Sequence, residues 1–228
     1  MPLAGQAAML SWSDVSPEDR PAFYEWHNRE HMPGAMALAG FQRGRRYIAV
    51  KADRSVLNFY EVDSLAVLTG AEYRNKANNP SELTLRTNKV MRNPVRGLAQ
   101  VKCSVGGGLG GYAVTYRLDA EPGREAELGA WLSEEALPGV VAAAEVLSAH
   151  CFVSDMPAST YVSTERIGRA TAVPPWAIIV EGTGLEALDA ACDAWLPEAS
   201  LLAHGARGPI VRGSYRHEIS MAKLPNML

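Results

Sequence analysis

Two histidines near the start of this 228-residue chain have a spacing that would let them act together. His27 and His31 are four residues apart and therefore share one face of a helix. Imidazole titrates near neutral pH and can give or take a proton without a large pKa shift. We predict that His31 is the acid–base group and that His27 assists it, while Glu30 could orient one of the two rings. The alternative is that both are ordinary surface or helix-end histidines.

The helix that carries them is expected to end at Met32, because Pro33 disfavours helical geometry in the residue before it. At such an end the helix dipole favours a protonated ring, and partial burial favours a neutral one. We therefore expect His31 to have a pKa near neutrality.

The same spacing occurs in metal sites of the H-E-x-x-H kind. Here Asn28 follows the first histidine instead of glutamate, and the sequence shows no third ligand. We predict neither a metal nor an organic cofactor. Asn28 and Trp26, which flank His27, are predicted to contact the substrate instead.

A second polar group follows on a predicted strand. Arg43, Arg45 and Tyr47 alternate along the chain and so share one face, while Arg46 lies on the other. We predict that Tyr47 donates a hydrogen bond to a substrate oxygen, as a third catalytic residue, and that Arg45 binds a carboxylate or phenolate. The alternative is a solvated face with the tyrosine packed in the core.

Tyr60, on the next predicted strand, is a further substrate-binding candidate, and the same alternative applies to it. His217, near the end of the last strand, could line a second cavity or lie at a strand edge.

These residues lie in the first of two similar halves. W-H-N-R-E-H-M-P-G at 26–34 matches W-L-S-E-E-A-L-P-G at 131–139, and further matches follow in the same order along the chain. Residues that agree between the copies are expected to serve the fold, and polar residues that differ need another reason. His27 aligns with Leu132, His31 with Ala136, and Tyr60 with Val180. The sequence therefore predicts a site in the first half and a degenerate one in the second.

Each half is predicted to fold as β-α-β-β-α-β, the ferredoxin-like order. The first unit is 1–105, with strands at 7–12, 41–50, 56–62 and 95–104. A flexible glycine-rich linker at 106–111 leads to the second unit at 112–228. We expect two four-stranded antiparallel sheets that cover each other's open face and enclose a barrel-like core within one domain. The long connection at 154–175 and the insertion at 79–93 interrupt the repeat, and long connections of this kind often form lids or partner contacts.

Composition narrows the function classes. The net charge is −3 and the sequence pI is about 6.0, which gives no basic footprint for nucleic acid. No apolar run approaches the roughly 20 residues that span a bilayer, and the N-terminus has no secretory pattern. The three cysteines are widely spaced, which is typical of buried thiols in a reducing compartment. We expect a cytoplasmic monomer or homodimer that binds a small molecule.

W-H-N-R-E-H-M-P, followed by A-G-F-Q-R-G-R-R-Y, resembles the dimeric α+β barrel superfamily and, within it, the EthD-type proteins. The resemblance covers nearly the whole chain and implies an α+β fold in which two ferredoxin-like units are fused in tandem. It also implies a ligand cavity between the sheet and its covering helices, often with one histidine as the acid–base group.

The function implied by this resemblance is a cofactor-independent enzyme acting on an aromatic or polyketide-like small molecule. A lyase, isomerase or cyclase step is expected, and cofactor-free monooxygenation is an alternative. A non-catalytic protein that binds a ligand or haem is another. A structural partner subunit is the third, and a barrel filled by side chains would favour it.

Overall fold

Eight strands form a closed antiparallel barrel in the computed structural model, which describes residues 3–223. The predicted end of the second unit, at 228, lies outside the described residues. The strands are β1 (Ala7–Asp14), β2 (Phe41–Lys51), β3 (Val56–Val62), β4 (Arg92–Gly106), β5 (Tyr112–Ala120), β6 (Val146–Ser154), β7 (Trp176–Gly182) and β8 (Ala206–Ala222).

The order around the barrel is β1-β3-β2-β8-β5-β7-β6-β4. Within each half the strands therefore lie in the order fourth, first, third, second. The halves are joined where β2 pairs with β8 and where β4 pairs with β6. The predicted barrel-like core is confirmed, but the two four-stranded sheets around it are joined edge to edge into one closed sheet. The edge strands of each half bond to those of the other, which leaves no open edge.

Helices cover the outside of the barrel. They are α1 (Arg20–Trp26), α2 (Met32–Met36), α3 (Leu65–Thr69), α4 (Ala71–Asn78), α5 (Glu82–Asn88), α6 (Glu125–Trp131), α7 (Leu137–Val141), α8 (Met156–Thr160), α9 (Leu185–Trp195) and α10 (Glu198–Ala203). A π-helical turn, His27–His31, joins α1 to α2, and a second one, Leu132–Ala136, joins α6 to α7. Between residues 3 and 223 no helix has the length and apolarity to cross a bilayer.

The first helix does not end at Met32 as predicted but continues to Met36. The Met32 N–H donates to the His27 carbonyl, five residues back, which is the wide spacing of a π turn. Pro33 follows directly. Proline has no N–H and its ring collides with the preceding turn of an α-helix. The wider turn makes room for it, so the helix passes through the proline.

The barrel interior is filled by side chains. Trp12, Phe59, Phe152 and Tyr215 are among its largest members and are almost fully buried. This observation is the one expected of a structural subunit. It leaves the outer faces of the strands, under the helices, as the place for a cavity.

The linker between the halves is more ordered than predicted, and both long insertions contain helical segments. A Cβ on Gly110 would lie 2.2 Å from the Gly182 carbonyl oxygen, so this part of the predicted flexible linker packs closely on β7. The insertion at 79–93 contains α5, whose first turn is capped by Ser81 through a 3.0 Å bond from the Thr84 N–H. The connection at 154–175 contains α8 and a 3₁₀ turn, Thr164–Arg166.

Candidate functional site

A cavity lies between the outer face of β1, β3 and β4 and the helix that runs from α1 to α2. It has a volume of about 80 Å³ and opens to solvent. Trp26 and His31 line it from the helix, and Asn58 and Tyr60 line it from β3. The walls are completed by α4, by Asn88 of α5, and by residues 165–171 of the long connection.

His31 presents an imidazole to this cavity. The ring is partly exposed, and its centroid lies 4.3 Å from that of Trp26 and 5.9 Å from that of Tyr60. Among residues 3–223 its ring nitrogens have no hydrogen-bond partner. The side chain can therefore exchange a proton with a ligand without first breaking a bond to the protein.

The pKa of His31 is not near neutrality, as the sequence suggested. Burial, together with the charges of Lys76 and Arg96, lowers it to about 3. The opposing effect of a helix end is absent because the helix continues to Met36. His31 is thus a neutral imidazole at pH 7, with a lone pair available as a weak base.

His27 is fully buried and uses both ring nitrogens. Arg46 Nη1 lies 2.9 Å from Nδ1, and the Tyr60 hydroxyl lies 3.0 Å from Nε2. A guanidinium can only donate, so Nδ1 accepts and the proton of the neutral ring is on Nε2. Nε2–H then donates to Tyr60, and the hydroxyl hydrogen of Tyr60 remains free for another acceptor. Burial, with the charges of His31 and Arg46, lowers the pKa of His27 and keeps it neutral.

Tyr60 therefore ends a chain of donors, Arg46 to His27 to Tyr60, that points into the cavity. Burial raises the pKa of Tyr60, so its hydroxyl keeps its proton. The ring packs over Gly44, where a Cβ would lie only 2.8 Å from Cε1. A glycine on β2 is thus a condition for the position of this tyrosine.

Trp26 lines the cavity as predicted, and its Nε1–H donates to Thr84 Oγ1 at 2.9 Å. Glu30 does not orient either histidine. Its Oε1 accepts from Ser81 Oγ at 2.5 Å and from Thr84 Oγ1 at 2.8 Å, which ties the helix to α5.

Tyr47 and Arg45 do not reach this cavity, in contrast to the prediction. They do share one face of β2, but that face points into the barrel. There the Tyr47 hydroxyl donates to Glu181 Oε1 at 2.6 Å, and Arg45 Nη1 lies 2.6 Å from Glu181 Oε2. Arg45 Nη2 lies 2.7 Å from Glu61 Oε1, a charge contact without good hydrogen-bond geometry. The alternation of polar residues could not show which face the helices cover.

Asn28 and His217 are also outside the cavity. Asn28 Oδ1 accepts from Arg46 Nη1 at 2.7 Å, so it helps to hold the arginine that bonds to His27. His217 packs edge-to-face against Tyr47, with a centroid distance of 5.2 Å.

Sequence reasoning missed the charged residues of the cavity. Tyr73 and Lys76 come from α4, Arg96 from β4, and Glu165, Arg166 and Arg169 from the long connection. The signal that could have found the last three is the connection itself, which was expected to act as a lid or contact. Nothing in the pattern of α4 or β4 singles out their cavity-facing residues.

The equivalent space in the second half is filled. Leu132, Ala136 and Val180 are completely buried there, and Trp195 packs on Gly139. A wider depression beside Tyr112 is an open groove of about 660 Å³ without a histidine in its walls. In the part of the chain described, no three His, Cys, Asp or Glu side chains are grouped to hold a metal ion.

Comparison of the sequence with models of protein families and with curated proteins finds no match. Solved structures do match. The structural alignment with an anthrone oxidase-like protein covers 100% of this chain and 99% of that protein, with 14% sequence identity and a TM-score of 0.63. A protein from Lactobacillus acidophilus, described as a candidate monooxygenase, covers 96% and 97%, with 6% identity and a TM-score of 0.61.

A haem-binding protein from Thermus thermophilus is also similar. The alignment covers 92% of this chain and 91% of that protein, with 10% sequence identity and a TM-score of 0.52. At such identities the likeness is one of fold alone. These proteins are of the dimeric α+β barrel type, and the eight-stranded barrel of this chain has the same fold, as the resemblance in its sequence implied.

Proposed function

We propose that the chain is a tandem fusion of two ferredoxin-like units of the EthD-like kind. The strand order, which is the same in both halves, supports this, as do the matched π turns at His27–His31 and Leu132–Ala136. In this proposal residues 1–105 carry the site, and residues 112–228 retain the frame without it.

We further propose that the protein is a cofactor-independent enzyme acting on an aromatic or polyketide-like small molecule, as a monomer or homodimer. His31 removes a proton from the substrate, and the free hydrogen of Tyr60 bonds to the oxygen on which negative charge develops. The observation that carries the proposal is that His31, whose imidazole has no hydrogen-bond partner, lies beside Tyr60, the last residue in the chain of hydrogen-bond donors. Trp26 supplies a flat wall for an aromatic ring.

The remaining predicted residues have supporting roles in this proposal. His27 positions Tyr60 through its Nε2–H, and Asn28 acts through Arg46. Arg45 and Tyr47 belong to the barrel interior and are not expected to touch the substrate.

The enolate made by this proton transfer can cyclise, isomerise or react with oxygen. The structural likeness to an anthrone oxidase-like protein and to a candidate monooxygenase supports the oxygen branch. Neither of these, nor the haem-binding protein, is described as a lyase or isomerase. With anthrone as the probe, one molecule of O₂ would convert the CH₂ group to a carbonyl, yielding anthraquinone and one molecule of water.

Oxygen uptake with anthrone tests the proposal, after subtraction of the uncatalysed autoxidation. His31→Ala should lower the enzymatic rate by about 10²–10⁴-fold, the usual scale of general acid–base assistance. His27→Leu should be milder, since its ring acts through Tyr60. His204→Ala is the matched control, because His204 stacks on Trp131 in the second half. A folded His31→Ala protein with full activity would refute the role.

Haem binding is a second candidate, because His31 offers a free nitrogen and one structural relative is a haem-binding protein. His31 would then be the iron ligand, and Arg96 a partner for a propionate. Titration with hemin tests this directly. A Soret band of bound haem in the unmodified protein that is absent from His31→Ala would favour haem binding. The absence of such a band from the unmodified protein would exclude haem binding.

A structural partner subunit is the third candidate, because the barrel interior is filled as that alternative requires. The open cavity beside His31 argues against it, since a purely structural subunit has no use for an unpartnered imidazole in such a cavity.

A further inference from the structure

The charges around the cavity are unbalanced. Lys76, Arg96, Arg166 and Arg169 line it, and Glu165 is the one carboxylate among its lining residues. With a neutral His31 the cavity therefore carries an excess of three positive charges, whereas the whole chain carries −3.

These four cations are not paired within the protein. Within residues 3–223, none of them has a carboxylate oxygen within 4 Å, although nine other arginines do. Arg96 is held by the Tyr73 hydroxyl at 2.5 Å, and Arg169 donates to the Met91 carbonyl at 3.0 Å. Lys76 has no hydrogen-bond partner among these residues, and its Nζ lies against Gly34 of α2.

Like charges gathered in a partly enclosed cavity repel one another, and the arrangement is costly unless an anion enters. Arginine forks match a carboxylate in geometry and bind it more strongly than they bind a neutral oxygen. The cavity is also lined by Trp26, Tyr60 and Phe41, whose rings suit a flat ligand. Charge and shape together indicate an aromatic acid.

We propose that the ligand of this cavity is an aromatic carboxylate, whose charged group is held by Lys76, Arg96 and Arg169 while its ring packs beside His31 against the aromatic lining residues. This proposal rests on the proposed function because it uses the same cavity. It adds the substrate class.

An anionic ligand also resolves a weakness of His31 as a base. Lys76 and Arg96, after burial, lower the pKa of His31 and so weaken its basicity. A carboxylate between these cations offsets their positive charge. The free energy needed to protonate His31 is then smaller. Binding of the correct substrate would thereby strengthen the group that acts on it.

Calorimetry with 2-naphthoate and its neutral isostere naphthalene-2-carboxamide tests the inference. The carboxylate should bind at least tenfold more tightly than the amide. Lys76→Gln and Arg169→Gln should each weaken the binding of 2-naphthoate by about tenfold and leave that of the amide unchanged. Lys51→Gln, which removes one exposed positive charge outside the cavity, is the matched control.

Equal affinities for the two compounds would overturn the inference but leave the cavity as a neutral-ligand site. Equal losses of 2-naphthoate affinity in Lys51→Gln and Lys76→Gln would also overturn it, because the effect would then come from the overall charge of the protein. Failure of both compounds to bind would also overturn it. Oxygen uptake with uncharged anthrone would still report on His31 independently.

Discussion

The first helix of each half packs on its sheet in the same way, yet only one of the two interfaces is polar. Both helices have a tryptophan before a π turn and a proline after it. In the first half Arg46, His27 and Tyr60 form a hydrogen-bonded chain. The aligned residues of the second half are Cys151, Leu132 and Val180. The whole chain of donors has been replaced by apolar residues, and the helix geometry has not changed.

A second difference explains why only one interface is hollow. The glycine after the proline supports a side chain from a later helix in each half. On Gly34 this is the ammonium of Lys76, and on Gly139 it is the indole of Trp195. The larger ring closes the second interface. The fold of the second half persists without these polar residues, which is consistent with the ligand site proposed for the first half.

Copying the second half into the first is the strongest way to break this comparison. The triple variant His27→Leu, His31→Ala and Tyr60→Val should remain folded and lose anthrone turnover by at least about 10²–10⁴-fold. Circular dichroism and oxygen uptake would measure the two effects. Failure to fold would show that the polar residues are structural after all.

The barrel interior, to which both halves contribute, should respond in the opposite manner. Arg45 reaches from β2 to Glu181 on β7, and the charged side chains of both residues are fully buried. Arg45→Met should cost about 3–5 kcal/mol in the free energy of unfolding, because it leaves buried carboxylates without their partner. Urea denaturation would measure this loss.

Arg212→Met is the control for that loss. Its pairs with Asp189 and Asp193 are more exposed and should be worth at most about 1 kcal/mol. Equal losses in the two variants would contradict the importance given to the buried network.

Acid should expose the same network. Burial would raise the pKa of Glu181, but the charge of Arg45, the nearby His150 and the hydrogen bond from Tyr47 outweigh it and lower the pKa to about 2. A depressed carboxyl pKa gives stability above its unfolded value, and this stability is lost as pH falls toward the folded value. We expect the free energy of unfolding to fall between about pH 4.5 and 2. Glu181→Gln should flatten this decline, and an unchanged decline would contradict the assignment.

Gly44→Ala should lower activity less than the triple variant does, and it changes the first half only. The added Cβ would displace the Tyr60 ring, and a misplaced catalytic group can cost up to about 100-fold in rate. We expect a roughly 10- to 100-fold loss of oxygen uptake. The matched change, Ala149→Gly in the second half, should leave activity unchanged. Equal effects of both would mean that Gly44 matters only for the sheet.

The strands could be predicted from the sequence, because the periodicity that marks a strand depends on local residues. Periodicity misplaced Tyr47 and Arg45, since alternation separates two faces without saying which one a helix covers. The closure of the barrel and the cavity cations depend on contacts between distant segments. Arg96 and Glu165, for example, are 69 positions apart and meet only in the folded chain.

Histidine side-chain NMR tests the central claim, that His31 is a free neutral base in a ligand cavity. Long-range ¹H–¹⁵N spectra should show His31 neutral from pH 8 to about pH 4, since its pKa is lowered to about 3. His27 should appear as the single tautomer with its proton on Nε2. Added 2-naphthol, a neutral aromatic phenol, should shift the His31 signals. Protonation of His31 above pH 6, or shifts at His150 or His217 alone, would contradict the account.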